Sequence, residues 1–367
     1  MKPEIKRASW IELFYDVAYV ALVAQLTYLA AEFHYTFTDL VHIGIIAYAI
    51  FTAWWATTAN RNLQPDESRA DKFILQIQMV GAFMLSLTMA NVFSGDYLGF
   101  FVTLGILRLL QTSMLVRMYV NHPHTRPRTY NMLEGFVIAS GLWIAAAFAP
   151  AEYYLLLAFS ALVMEVLIPL TRGRGNNRRY LNVHHLQERL GLFLMLVIGE
   201  SMIVVALSSS AESLTVAPLT VVFSGLGMMI ALWWLYFEHS DRHVGERPKN
   251  LFLFLHAHGF LYVSIILISV AYKLILTGKD PIVSLNFLLI GSIGVVLTLL
   301  GIRSTLHKIS TRVVLRVLSL FTVSLGIIYF SYDQGLINET VIATTSIFLI
   351  AALLDQFSFF KNSAKKS

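Results

Sequence analysis

Apolar residues run along this chain in blocks of about twenty, the length that carries a helix across a bilayer, with short polar or glycine- and proline-bearing breaks between them. Twelve such blocks are marked off at 13 to 31, 40 to 59, 73 to 93, 97 to 119, 133 to 149, 152 to 170, 189 to 208, 219 to 237, 251 to 272, 282 to 302, 313 to 331 and 340 to 359. At ~1.5 Å per residue, each approaches or spans a hydrocarbon layer ~30 Å thick. The pattern predicts an all-α fold, a polytopic transmembrane helical bundle of about twelve spans. The pair flanking Pro150 is short and also reads as one re-entrant hairpin.

One block breaks the apolar rule. Between Glu188 and Leu207 the chain is long enough to span a bilayer, yet Glu200 lies inside it. Glu200 is ~18 Å along a helix from Glu188, so an interfacial Glu188 puts Glu200 near the middle of the layer. A carboxyl group there costs a few kcal/mol and marks a functional candidate; the bland alternative is a protonated acid bonded to a neighbouring helix. Glu188, Gly191, Met195, Gly199, Met202 and Ala206 form a separate stripe, predicted to pack against a neighbouring helix at its glycines.

Composition agrees. Hydrophobic residues make up 57% of the 367 and charged residues 13%, against about a quarter charged in soluble domains. There is no cysteine, which excludes disulfide and thiolate chemistry. The net charge of +5 sits in short loops and carries no nucleic-acid-binding motif. Those loops report topology instead. In the twelve-span scheme Lys2, Lys6, Arg7, Arg61, Arg117, Arg172 to Arg179 and the later loop cations share one side, with Lys273 and Lys279 opposite and Arg108 inside a span. Both termini are then expected to be cytoplasmic.

The chain also looks doubled. Trp54-Trp55 near the end of the second block is echoed by Trp233-Trp234 in the eighth, and Glu12 opens the first block as Glu188 opens the seventh. Six blocks per half keep the same orientation, so the expected organisation is an N-terminal six-helix half at 1–171, a basic cytoplasmic linker at 172–187 and a C-terminal six-helix half at 188–367, in parallel pseudo-symmetry.

Chemistry concentrates on few residues. Glu12, Asp16, Tyr19, Val23 and Thr27 share one face of the first helix. Glu12 and Asp16 are one turn apart and repel if both are ionised, so they call for a basic partner such as Arg61 or the Arg117 region, or for a proton. An interfacial cluster that orients helix ends explains them equally well. Arg108 does not deprotonate and must meet an acid, a carbonyl or water; Glu200, Glu165 and Asp16 are the acids open to it. His184 and Glu188 are one turn apart but supply two ligands only, so no metal is expected. His256 and His258 point to nearly opposite sides of a helix; one can exchange protons with an intramembrane acid, though a bonded bundle histidine is the simpler reading. No nucleophile elbow, P-loop, zinc-protease or dinucleotide motif is present, and no cofactor is expected.

Taken together, Glu12-Leu13-Phe14-Tyr15-Asp16-Val17, Trp54-Trp55 with Asn60, Glu188-Arg189-x-Gly191-Leu192-Phe193 leading to Gly199-Glu200-Ser201, and Trp233-Trp234-x-Tyr236-Phe237 resemble the bacterial low-temperature-requirement A (LtrA) family. Tyr15 departs from the E-L-F-F-D form more usual there. The resemblance implies a polytopic plasma-membrane protein and names a growth phenotype, not a reaction. Phe14-Tyr15-Asp16 is also similar, without its serine, to the Phe-Ser-Asp opening of potassium channels built from two six-helix halves.

These features converge on a transporter or channel for a small ion or solute, its pathway between the halves. Glu200 would bind a cation or proton, Asp16 and Glu12 line the cytoplasmic approach, Arg108 reset Glu200, and Glu188 and His256 assist. A membrane-embedded enzyme acting on lipid-linked substrates through Glu12, Asp16, His184 and Glu188, or a non-catalytic envelope or stress scaffold, are the competing classes. The expected partners are the lipid bilayer and a small ion or solute, with self-association left open and no nucleic acid.

Overall fold

The computed structural model describes residues 8–32, 37–64, 68–172, 182–209, 215–306, 322, 326, 329–330 and 336–363. Among the described residues the chain forms eleven α-helices: α1 Trp10–Ala30, α2 Phe37–Leu63, α3 Arg69–Phe93, α4 Leu98–Asn121, α5 Arg126–Ala147, α6 Tyr154–Arg172, α7 Val183–Ser208, α8 Val216–Arg242, α9 Leu251–Leu276, α10 Pro281–Leu306 and α11 Ile337–Ser363. Nine are long and apolar enough to cross a membrane. α5 and α6 carry shorter apolar stretches, Met132–Ala147 and Tyr154–Ile168. The span expected at 313 to 331 falls almost wholly outside the described residues, as do the linker residues 173–181 and the terminal cations Lys2, Lys6, Arg7, Lys365 and Lys366.

Two compact units result, Met1–Leu192 and Phe193–Ser367. Their division falls inside α7, whose first turns belong to the first unit. In that unit α1 packs against α2 and α3, α2 against α4 and α6, and α3 to α6 pack in sequence. In the second unit α9 lies along α10, and α8 packs on α9 and α11.

The helices turn their polar faces inward. On α1, Glu12, Asp16, Tyr19, Val23 and Thr27, the face marked in the sequence, are all buried, whereas Trp10 is 87% exposed, Phe14 64% and Val17 51%. A soluble helix does the reverse; lipid accepts the aromatic face, and only a protein interior satisfies the acids.

Local signals set the α9–α10 turn. Gly278 takes φ +64°, a left-handed conformation that glycine adopts without strain. Asp280 Oδ1 then accepts from the backbone N–H of Ile282 and Val283, and Pro281 occupies the first helical position, where its missing N–H costs nothing. The two helices approach closely at Gly291, where a Cβ would lie 2.7 Å from Ile268 Cγ1 and 2.8 Å from the Ser264 carbonyl oxygen.

Gly291→Ala should therefore lower stability in detergent by about 1–3 kcal/mol through overpacking against backbone. Gly44→Ala, where a Cβ would meet nothing within 4 Å, should be neutral or stabilise by about 0.5–1 kcal/mol. Thermal unfolding of the two purified variants checks the contrast.

Candidate functional site

Apart from Asp71, which pairs with Arg117, the buried charges described in the first unit lie in two clusters. The first joins the starts of α1 and α7 to the end of α2. Asp16 Oδ1 accepts from Arg189 Nη2 at 2.6 Å and from Trp54 Nε1 at 2.6 Å. Glu12 Oε1 is 3.6 Å from Arg61 Nε and 3.4 Å from His185 Nε2, while its Oε2 accepts from the Ser9 backbone N–H and hydroxyl at 2.8 and 2.9 Å. Glu188 accepts from the Ala8 backbone N–H at 3.2 Å. Glu12, Asp16, Arg61, His185 and Arg189 are each 1% exposed or less.

This geometry constrains the path of the chain. Glu12 meets His185 and Asp16 meets Arg189, so α1 and the first turns of α7 run in the same direction. The chain returns to the end of the unit where it began, which requires an even number of crossings in between.

The second cluster threads five other elements onto α1. Arg108 Nη2 donates to Glu165 Oε2 and to Thr52 Oγ1, both at 2.7 Å, and Arg108 Nη1 donates to Gln111 Oε1 at 2.9 Å. Trp143 Nε1 donates to the other oxygen of Glu165 at 3.0 Å. Gln111 Nε2 donates to the Ala53 carbonyl and to Thr57 Oγ1. Thr57 donates to Gln78 Oε1 at 2.6 Å, and Tyr15 OH lies within bonding distance of Tyr19, Thr57 and Gln78. The bonds thus link α1 through α6.

Arg108 takes Glu165 as its counter-charge. Its guanidinium gives two N–H groups to Glu165 and Gln111 and a further bond to Thr52. Arg117 pairs with Asp71 at 3.2 Å and not with the α1 acids, leaving those to Arg61 and Arg189. Trp54 is fully buried, with its Nε1–H given to Asp16.

In the second unit Glu200 is half-buried, and no hydrogen bond or ion pair links it to any described residue. The stripe predicted to pack on α7 does not do so along its length. Met195 is 46% exposed, and a Cβ on Gly199 would meet nothing within 4 Å. The bulkier Phe193, Leu194, Val197, Ile198 and Val205 fill the core instead, because they bury more apolar area than glycine offers. His256 is half-buried beside the Phe252 ring, centroids 4.1 Å apart. His258 is buried; its Nδ1 donates to the Phe254 carbonyl at 2.6 Å, which leaves Nε2 to accept from Tyr236 OH at 2.9 Å.

The family described as Bacterial low temperature requirement A protein (LtrA) matches residues 7–354. This chain belongs to the LtrA family. A Rhizobium meliloti (strain 1021) protein named Uncharacterized protein RA0937 is 23% identical over 381 residues, covering 97% of this chain and 90% of its own length. The match to LtrA takes in both charge clusters and Glu200, and with the apolar helices it makes the chain a multi-pass membrane protein.

Sequence reasoning missed His185 and Arg189 as partners of this LtrA chain's first helix. The signal was present as matched spacing: acids at 12 and 16, bases at 185 and 189, each pair one helical turn apart. Glu165→Ala should cost about 3–5 kcal/mol of stability by leaving Arg108 uncompensated, whereas Arg108→Met combined with Glu165→Leu should recover much of it. Unfolding of both variants in detergent measures the difference.

Proposed function

We propose that this LtrA-family protein is a transporter or channel of the bacterial plasma membrane, moving a small ion or solute with a proton or cation bound at Glu200. The observation that carries this reading is an asymmetry among the acids. Glu12, Asp16 and Glu165 are each held by an arginine, so their charge is already used. Glu200 lies deep in a membrane-length helix with no such partner among the described residues. An acid kept in that position without a counter-charge has a standing reason to take up a proton or cation.

In this reading the paired clusters of the first unit are the rigid support, and Glu188 and His256 modulate access. The distribution of loop Lys and Arg favours cytoplasmic termini, and the repeated tryptophan pairs favour two related six-helix halves.

Purified protein in vesicles under imposed sodium, potassium or proton gradients tests the proposal. Wild type should carry flux for at least one gradient, and Glu200→Gln should keep the fold and lose the flux. Undiminished flux in Glu200→Gln would overturn the role of Glu200. Absence of flux under every gradient would favour the scaffold or lipid-enzyme classes.

A further inference from the structure

Two rungs join α1 to α7, and both are incomplete. In the upper rung Asp16 uses one oxygen for both Arg189 and Trp54, and its Oδ2 has no hydrogen-bond partner. Arg189 uses Nη2 for Asp16 and Thr58, and its Nη1 and Nε have none. A guanidinium facing a carboxylate ordinarily closes two parallel bonds; this one closes one. In the lower rung Glu12 Oε1 and His185 Nε2 stand 3.4 Å apart without forming a hydrogen bond.

The protonation pattern of His185 follows from its neighbours. The Asn182 backbone N–H donates to Asn62 Oδ1 at 2.9 Å, which fixes that amide's oxygen. Asn62 Nδ2 must then be the donor, to the Asn182 carbonyl at 2.9 Å and to His185 Nδ1 at 3.1 Å. Nδ1 is therefore an acceptor, and the imidazole carries its proton on Nε2, facing Glu12.

One turn apart on the same helix faces, the two rungs present unpartnered N–H donors at His185 Nε2 and at Arg189 Nη1 and Nε, with Arg61 Nε 3.6 Å from Glu12 Oε1, and two unpartnered carboxylate acceptors, Glu12 Oε1 and Asp16 Oδ2. A cation would meet the donors and an anion the carboxylates. An alcohol has one proton to give and would leave an acceptor unfilled. Water gives two protons, one for each open carboxylate oxygen, and accepts from two of the N–H groups, and buried waters typically make about three hydrogen bonds to such groups.

We propose that one water molecule binds between the Glu12–His185 and Asp16–Arg189 rungs. It accepts from His185 and Arg189 and donates to Glu12 and Asp16, so that α1 and α7 are joined through it. The site lies within the first unit and does not depend on the role given to Glu200.

An experimental density map of the full-length protein in a lipid nanodisc, fine enough to show ordered water, tests this. A single peak within about 2.6–3.2 Å of Glu12 Oε1, Asp16 Oδ2, His185 Nε2 and an open Arg189 nitrogen is the expected result. No peak, with Arg189 closing both bonds on Asp16 and His185 swung into line with Glu12, would overturn it. Infrared spectra in ordinary and oxygen-18 water supply a second readout. An isotope-sensitive O–H band should appear in wild type, shift in Glu12→Gln and vanish in His185→Phe, and a band unaffected by either substitution would also overturn the site.

Discussion

A guanidinium does not shed its proton under any condition a cell provides, so each arginine carried among membrane helices must be met there by an acid or a carbonyl. The described residues include three such side chains buried to below 2% exposure, Arg61, Arg108 and Arg189. Each is answered by one acid, Glu12, Glu165 and Asp16 respectively. This neutrality dictates which face of α1 turns inward, why Trp54 is buried, and why α7 begins beside the start of α1. Breaking any one pair strands a charge where neither water nor lipid can take it up.

Between the charges, hydroxyls and amides complete the interior. Helices in lipid gain little from the hydrophobic effect on association, and interhelical hydrogen bonds contribute on the order of 0.6–2 kcal/mol each. The run from Tyr15 through Thr57, Gln78 and Gln111 to Arg108, Glu165 and Trp143 crosses six helices, so its contribution is to their mutual register as much as to stability. Glutamine and arginine break this run as a path for protons, since neither passes a proton on as a hydroxyl does. The column is better suited to hold helices than to conduct.

Much of this was written in the sequence. The long apolar blocks specify membrane helices because backbone groups in lipid must bond within their own segment, and the inward stripe from Glu12 to Thr27 followed from a 100° rotation per residue. Arg61 as partner of Glu12, and Glu165 as one of three acids open to Arg108, were also legible from charge alone. Arg189 was not, because a cation at the edge of a span reads as a topology marker until the matching interval at Glu12 and Asp16 is noticed. The packing stripe of α7 misled for a different reason. Small residues permit close approach but do not compel it, and the larger Phe193, Val197 and Val205 decided which face went inward.

The buried ion pairs require α1 to place its acids inside and its aromatics against lipid. Because the chain contains no cysteine, single cysteines at Phe14, Val17, Val23 and Leu26 can be spin-labelled without prior substitution and probed in a bilayer by paramagnetic collision. Labels at 14 and 17 should respond strongly to dissolved oxygen and weakly to a water-soluble nickel chelate, with 23 and 26 shielded from both. Strong collisions of the nickel chelate with labels at 14 and 17 would put that face in water and contradict the arrangement of charges described above.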